Sequence, residues 1–391
     1  MSQKVYVGMS GGVDSSVTAA MLVQQGYDVT GVYMKNWSQD LPGMVCPWKQ
    51  DYQDAKRVAV QLGIPFKMYD FQTEYRQKVV DYMIAEYQAG RTPNPDIMCN
   101  QEVKFRLFLD ACLNDGADLI ATGHYARVWH ASGEHHVVAD SSAPSPYQAY
   151  DSVRASSAPS AASPDARQPE ARLLVAENVE KDQTYFLYRV TEDALKHSLM
   201  PIGDFATKAE VRAKAKELGL ATAEKKDSQG ICFVGKVGIK DFLLHELGEQ
   251  PHGRIIDQNG ATVGEHDGAI FYTIGQRHGL QVGGGLPFYV VGKDMAKNEV
   301  YVTTDLQDGR LWHRNLKLTD LHWINAAPTA GKTYQVRTRY RAPLVDCQIH
   351  LEDGPIDTAT VQLTEDIRAI TPGQSAVIYD GDRVAGGGIV V

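Results

Sequence analysis

The sequence predicts an α/β fold built on a parallel sheet, followed by an all-β region that closes as a barrel or barrels. Two observations carry this. The first 130 residues alternate short apolar runs with helical runs, a pattern that stacks as a parallel sheet covered on both faces. After residue 250 the texture becomes short strands with frequent Gly, Pro and Asp-Gly turns, at Asp267-Gly268, Asp308-Gly309, Asp353-Gly354 and Asp380-Gly381. A length of 391 residues fits two to three domains, and 43% hydrophobic residues suffice for a full core.

The elements follow in order. Val5-Tyr6-Val7 reads as a short buried strand. Ser16 to Gln25 reads as a helix with Val17, Ala20 and Met21 on one face and Gly26 as its stop. Val29 to Tyr33 is a second strand. Asp51 to Leu62 places Ala55, Val58, Ala59 and Leu62 at helical spacing, and Gly63 and Pro65 end it. Phe66 to Tyr69 begins a third strand, Phe105 to Leu113 is helical, and Leu119 to Thr122 is a strand running into Gly123-His124. Residues 141–170 differ: eight Ser, seven Ala and five Pro, with no Leu, Ile or Gly, cannot bury enough apolar surface to order. They read as a disordered surface insertion, spanning about 131–171, before order resumes at Arg172 to Val175. Thr207 to Leu218 is a capped helix, with Glu210 three residues after the Thr.

Composition narrows the function. A net charge of −9 excludes a generally basic nucleic-acid coat protein, although not a local basic patch. Five cysteines in this length are no disulfide scaffold. There is no charged n-region followed by an apolar h-region, and no apolar stretch of eighteen residues. The expectation is a cytoplasmic, reduced protein with free thiols and no membrane contact.

Ser10-Gly11-Gly12-Val13-Asp14-Ser15 follows a strand and opens a helix. Glycines let the backbone approach a ligand, and the helix start aims free N–H groups and a positive dipole end at it. Ser10, Ser15 and Ser16 add hydroxyls, which makes a cradle for pyrophosphate. It is not a Walker A motif. Gly331-Lys332-Thr333 is a decoy, because Ala326 stands where the first glycine is needed and the context is strands.

Thr92-Pro93-Asn94-Pro95-Asp96-Ile97-Met98-Cys99 is the second segment of interest. The prolines leave little helix before Asp96, so Cys99 is expected at or just before a helix start, where the dipole lowers a thiol pKa. Asp96 reaches the same space as an acid or base. The alternative for Cys99 is a small buried hydrophobe. Cys232 follows Gly230 in a polar loop near Lys225 and Lys226, a setting that favours thiolate; its alternative is an inert loop thiol. Cys46, Cys112 and Cys347 read as bland, and without a Cys-x-x-Cys no metal site is expected. A pyrophosphate loop with two poised thiols suggests sulfur transfer in covalent steps.

The loop resembles the PP-loop of the ATP pyrophosphatase superfamily, which implies a Rossmann-like sheet, ATP and Mg2+. The chain further resembles one family, the bacterial tRNA-specific 2-thiouridylases. The matching stretches are Gly8 to Ser16, Met34 to Trp37, Thr92 to Phe105, Ala121 to Tyr125, Lys181 to Leu187, Lys226 to Phe233, Thr273 to Arg277 and Thr371 to Gln374. They cover nearly the whole chain apart from the insertion.

The resemblance implies thiolation of the wobble uridine of tRNAs for Lys, Glu and Gln at its 2-position. It implies ATP binding by Gly8, Met9, Ser10, Gly11, Gly12, Val13, Asp14, Ser15, Met34 and Gly123. Cys232 would carry a persulfide, supplied by a sulfur donor or relay protein. Cys99 would be the paired catalytic thiol and Asp96 the acid/base. Asn94, Pro95 and Asp96 would surround the target base. His124, Lys181, Asp182, Gln183, Arg339, Tyr340 and Gln374 would contact tRNA. The implied domains are a PP-loop domain over 1–206, a small central domain over 207–283 and a C-terminal β-barrel over 284–391.

Phosphate contacts need cations. If 331–341 is a strand, Arg337, Arg339 and Arg341 share one face as a phosphate-tracking stripe, with a solvated strand face as the alternative. His124 reads equally as a satisfied structural histidine. Two other function classes compete: a PP-loop ligase or amidotransferase, which needs no paired thiols, and a catalytically silent RNA-binding protein. The sequence leaves open whether the sulfur comes from a persulfide or an iron–sulfur cluster.

Overall fold

A computed structural model describes residues 2–41, 45–131, 169–226, 238–280, 282–283, 285–352, 354 and 357–391. Residues 132–168 of the expected insertion, the segment carrying Cys232 and the Asp353 turn position lie outside the described residues; the insertion's expected last residue, Ala171, is instead the first of a strand.

The first unit is a five-stranded sheet. Its strands are β1 (Lys4–Gly8), β2 (Asp28–Lys35), β3 (Phe66–Asp70), β4 (Leu119–Thr122) and, further along, Ser198–Leu199. The order is β3-β2-β1-β4 and then Ser198–Leu199, and every pairing is parallel. Val5 and Val7 face one apolar cluster and Tyr6 faces another; Leu119 and Ala121 divide from Ile120 in the same way. The period-two alternation therefore buries both faces, as a parallel sheet requires.

Helix α1 (Val13–Gln24) covers the first face. It begins three residues before the expected start, because Gly12 takes the extended N-cap conformation at φ −92°, ψ 168°. Helix α2 (Trp48–Leu62) likewise starts three residues early and buries Ala55, Val58 and Ala59. The expected helix at Phe105 to Leu113 is the end of a longer helical run. That run comprises α3 (Pro95–Met98), a wide-turned i→i+5 segment at Cys99–Phe108, and α4 (Leu109–Asn114). Helix α5 (Lys208–Glu217) has the expected Thr207 cap, accepting from the Glu210 N–H. Its Val211 and Ala215 join the cluster of α1, so α5 packs on the first unit, across the 206/207 division.

A hairpin of β5 (Arg127–His130) and β6 (Ala171–Leu174) flanks the insertion. Helix α6 (Ile239–Leu247) leads into a four-stranded sheet of β7 (Gly253–Ile256), β8 (Thr262–His266), β9 (Tyr289–Asp294) and β10 (Glu299–Thr303). β10 pairs with β7, so this sheet spans the 283/284 division. The last unit is antiparallel: β11 (Trp312–Trp323), β12 (Tyr334–Arg337), β13 (Val345–Glu352), β14 (Thr358–Arg368), β15 (Ser375–Asp380) and β16 (Arg383–Val390). The order β11-β14-β13-β12-β15-β16 closes by pairing β16 back to β11, a barrel without free edges. β6 adds to β16 outside that ring, at Arg383 and Leu174.

One buried carboxyl beside this hairpin gives a stability test. Asp204 has a buried Oδ1 with no hydrogen-bond partner among the described residues. Burial pushes its pKa up to about 7, with Arg127 opposing and Glu177 adding. The folded chain thus holds a proton that the unfolded chain has lost between about pH 4 and 7, so this group costs stability as pH rises through that window. Asp204→Asn is expected to melt higher than the parent at pH 8.5, by on the order of 1 kcal/mol or more, with the advantage shrinking or reversing at pH 5. Thermal melts at the two pH values check this.

Candidate active site

The site forms where the sheet order reverses, between the carboxyl ends of β1 and β4, the crevice where open α/β sheets bind ligands. The loop Met9–Gly12 leaves β1 here. Gly11 has φ +75°, and a Cβ on it would lie 2.3 Å from the Asp51 carbonyl oxygen, so no larger residue fits. Ser15 Oγ accepts from the Ser10 N–H at 3.1 Å and donates to Gly12 O at 3.2 Å. Ser16 Oγ donates to the same carbonyl at 2.8 Å. These bonds fold the loop back on the first turn of α1, whose leading N–H groups have no intrahelical acceptors. Gly123, at the end of β4, closes the other wall: a Cβ there would meet Ser15 N at 2.7 Å and the Asp14 carbonyl carbon at 2.9 Å. Met34 on β2 lies beside Gly8, its Cε 3.0 Å from a Cβ built there. Both cradle walls are bare backbone, which suits a phosphate chain.

Asp14 is the acid of this turn. Its Oδ1 accepts from Tyr125 OH at 3.0 Å and from Lys208 Nζ at 2.6 Å. Sequence reasoning missed Lys208. Its only signal is its place just after the Thr207 cap, and nothing in the linear order ties it to Asp14.

From Gly123 the chain passes to His124, which is buried. Its Nδ1 pairs with Thr122 Oγ1 at 2.8 Å and its Nε2 with Lys104 Nζ at 3.3 Å. An ammonium can only donate, so Nε2 accepts and Nδ1 carries the proton toward Thr122. Burial first, then Lys104, holds its pKa well below the usual histidine range, so the ring is neutral. This geometry is that of a satisfied structural histidine.

Lys104 links His124 to the helix bearing Asp96 and Cys99. Asn94 caps that helix by accepting from the Asp96 N–H at 3.2 Å, and Pro95 occupies its first position. The helix therefore begins at Pro95, not after Asp96, which corrects the expected placement of Cys99. Cys99 sits in the second turn, 3% exposed, in an apolar cluster with Trp37, Tyr75 and Phe242. The dipole benefit fades beyond the first turn, so that argument for a lowered thiol pKa does not hold here. Asp96 lies one turn earlier. Burial raises its pKa, and Lys104 opposes the rise. Lys104 was also missed; it lies inside the Thr92 to Phe105 stretch, where Asp96 and Cys99 drew attention instead.

Cys232 lies outside the described residues, but its flanks are anchored at the site. Lys225 Nζ donates to Asp51 Oδ1 at 2.8 Å and Asp54 Oδ2 at 2.7 Å on α2, beside Gly11. Its charge is thus engaged by two carboxylates of α2. On the other side, Phe242 and Leu243 of α6 join the cluster that buries Cys99. At the remaining thiols burial disfavours the thiolate: it raises the pKa of Cys46 and Cys112, and pushes Cys347 up to about 12.

Several residues expected to face tRNA serve as joints. Asp182 is 1% exposed, accepts from Ala176 N at 3.1 Å and Thr184 Oγ1 at 2.6 Å, and pairs with Arg337 at 3.5 Å. Gln183 exchanges two bonds with the Tyr125 backbone, at 2.8 and 2.9 Å. Gln374 Nε2 donates to Thr92 O at 2.7 Å, and the Thr92 N–H donates to Pro372 O at 2.9 Å. Arg339 donates to Ile274 O at 2.8 Å, Ala369 O at 2.9 Å and Thr371 Oγ1. The arginine stripe does not form. β12 ends at Arg337, and Arg341 turns away at φ +63°, so the three side chains do not share a strand face. Tyr340 packs on Phe186 with centroids 4.5 Å apart. Lys181 and Tyr340 stay partly exposed.

A Gly-rich turn without a Walker lysine, at the switch point of a parallel sheet, defines a PP-loop enzyme that uses ATP. Comparison with known proteins agrees. Residues 3–236 match the family model described as tRNA methyl transferase HUP domain. Residues 240–304 match its PRC-barrel domain, and 313–390 match the aminomethyltransferase beta-barrel domain. The chain is 43% identical over 390 residues to the tRNA-specific 2-thiouridylase MnmA of Geobacillus thermodenitrificans, covering 99% of this chain and 94% of that one. It is 41% identical to the Bacillus subtilis protein of that name over 388 residues, at the same two coverages. Against the Listeria monocytogenes serotype 4a protein, again covering 99% and 94%, identity is 44%. The chain belongs to the tRNA-specific 2-thiouridylase MnmA family.

The contact at Gly123 is testable. In Gly123→Ala the methyl group meets backbone, not a flexible side chain, so the α1 start must shift. ATP binding is expected to weaken at least tenfold while far-ultraviolet circular dichroism is unchanged. Equilibrium dialysis with labelled ATP reads the difference.

Proposed function

We propose that this chain is an ATP-dependent tRNA-uridine 2-sulfurtransferase. It acts on the wobble uridine of tRNAs for Lys, Glu and Gln in the cytoplasm. The observation that supports this best is the continuity of the site: the phosphate cradle touches Gly123, and His124 touches Lys104 on the helix of Asp96 and Cys99. The family model's description speaks of methyl transfer and the relatives' names of thiolation. A pyrophosphate loop joined to a cysteine helix suits thiolation, because methyl transfer needs neither.

ATP supplies the adenylyl group that turns an unreactive carbonyl oxygen into a leaving group. The uridine O2 displaces pyrophosphate from the α-phosphorus, and the cradle of Gly8 to Ser15 holds the departing phosphates. Mg2+ bound to the phosphates would offset their charge. Asn94 and Pro95 present the base, and Asp96 moves the proton at it. A persulfide on Cys232, loaded by a donor or relay protein, attacks C2 through its outer sulfur, and AMP leaves. The Cys99 thiolate then attacks Sγ of Cys232. The bond between Sγ and the transferred sulfur breaks, 2-thiouridine departs, and a Cys99–Cys232 disulfide remains for a thiol reductant to open. Lys181, Arg339, Tyr340 and Gln374 line or brace the tRNA-facing side. Among the described residues no helix is long and apolar enough to cross a membrane.

The deciding assay combines protein, ATP, Mg2+, a persulfide donor and unmodified glutamate tRNA, with 2-thiouridine read by mass spectrometry. Wild type should form product; Cys99→Ser and Cys232→Ser should form none above background. Product surviving Cys232→Ser would remove its persulfide role. A second expectation concerns pH. Lys104 holds the Asp96 pKa down against burial. Lys104→Met should raise it further, leaving Asp96 protonated to higher pH. If Asp96 acts as the base, the variant loses more turnover at pH 6 than at pH 8.5, and Lys104→Arg restores the profile.

A further inference from the structure

The sequence from Gly8 to Ser16 contains no lysine or arginine, and it contains one acid, Asp14, in the first turn of α1. A polyphosphate carries several negative charges, and a helix start offsets only about half of one. As built, the loop lacks a full cation and places a carboxylate beside the anion it must bind. Beyond any metal ion that accompanies the nucleotide, the loop has no cation of its own to offset Asp14, and α5 brings one.

We propose that Lys208 is a polyphosphate-binding residue of this site, held in position by Asp14 and Tyr125 until nucleotide enters. Three observations place it. Its Nζ lies 2.6 Å from Asp14 Oδ1, on the second residue of α1. The same ammonium sits 5.4 Å from the centroid of the Tyr125 ring, whose hydroxyl bonds the same carboxylate oxygen. Tyr125 is two residues beyond Gly123, which packs on Ser15 N, so all these groups surround the start of α1. The backbone of α5 is fixed by Val211 and Ala215 in the core shared with α1, so the base of Lys208 does not wander.

The pair has a balanced logic. Without ligand, Asp14 and Lys208 neutralise each other at the mouth of the cradle. With a polyphosphate present, the ammonium exchanges one oxyanion for a second and stays within reach of both. Lysine suits this exchange, since its charge ends a flexible four-carbon stem. The remaining reading is a plain staple joining α5 to α1 that never meets phosphate.

This inference rests on ATP use at the PP-loop, and its test avoids turnover altogether. The probes are the non-hydrolysable analogue in which methylene replaces the α,β-bridging oxygen of ATP, inorganic pyrophosphate, and adenosine. Binding is measured by calorimetry with Mg2+ and the full chain. Lys208→Met should weaken the analogue and pyrophosphate at least tenfold and change adenosine less than twofold. Lys208→Arg should retain analogue binding within about threefold. Equal weakening of adenosine and the phosphate ligands, or unchanged phosphate binding in a folded Lys208→Met, overturns the proposal. If wild type binds none of the probes, ATP use itself fails, a result distinct from either.

Discussion

The approach of Gly123 to the first turn of α1 is the constraint on which the rest of the site depends. β1 and β4 are neighbours, so their carboxyl ends point into one crevice. Only a residue without a side chain lets the β4 end lie this close to α1, since a Cβ on Gly123 would fall 2.7 Å from Ser15 N. That contact fixes where the chain leaves β4, and so sets His124 against Lys104 and Tyr125 against Asp14. The nucleotide cradle and the helix of Asp96 and Cys99 are thus two sides of one backbone crossing. A shift of a few tenths of an ångström there moves both.

The same economy governs how the three units meet. Thr92, immediately before the Pro93-Asn94-Pro95-Asp96 turn, is held by Pro372 and Gln374 of the barrel and by Thr273 of the middle sheet. Arg339 ties Ile274 to Ala369. Its pKa is lowered, by burial first, while carbonyl oxygens surround the guanidinium. The turn that presents Asp96 is therefore braced from both other units. The distant segments near residues 273 and 371 both meet this one turn.

Much of the fold was legible in the sequence, and the reasons are local. Period-two and helical spacings gave the strands and helices of the first unit, and the Asp-Gly turns announced the barrel. The PP-loop was legible because its glycines and serines are contiguous. What was not legible depends on long-range meeting. Lys208 is 194 residues from Asp14, and Lys225 is 174 from Asp51. The run from Arg337 to Arg341 alternates like a strand, yet a turn at Thr338 to Arg341 breaks it, and Asp182 and Thr371 claim the guanidinium groups. Pro95 was read as a barrier to a helix when it is the first residue of one, since a helix start needs no N–H there.

These commitments bear on how an acidic chain meets a polyanion. Arg337, Arg339, Lys225 and Lys104 are all engaged inside the protein, by Asp182, backbone carbonyls, Asp51 with Asp54, and His124. Arg337 and Arg339 look in sequence like phosphate contacts. With a net charge of −9 and these four cations engaged inward, the chain as a whole does not attract a polyanion, and none of the four is free to hold the proposed tRNA substrate. On the proposed reading, discrimination would then come from fit at the braced turn: the stiff Pro93-Asn94-Pro95 wall, the half-buried acid beyond it, and the cost of turning one base out of its stack. A substrate whose anticodon loop yields its wobble base cheaply is favoured by shape before charge is counted.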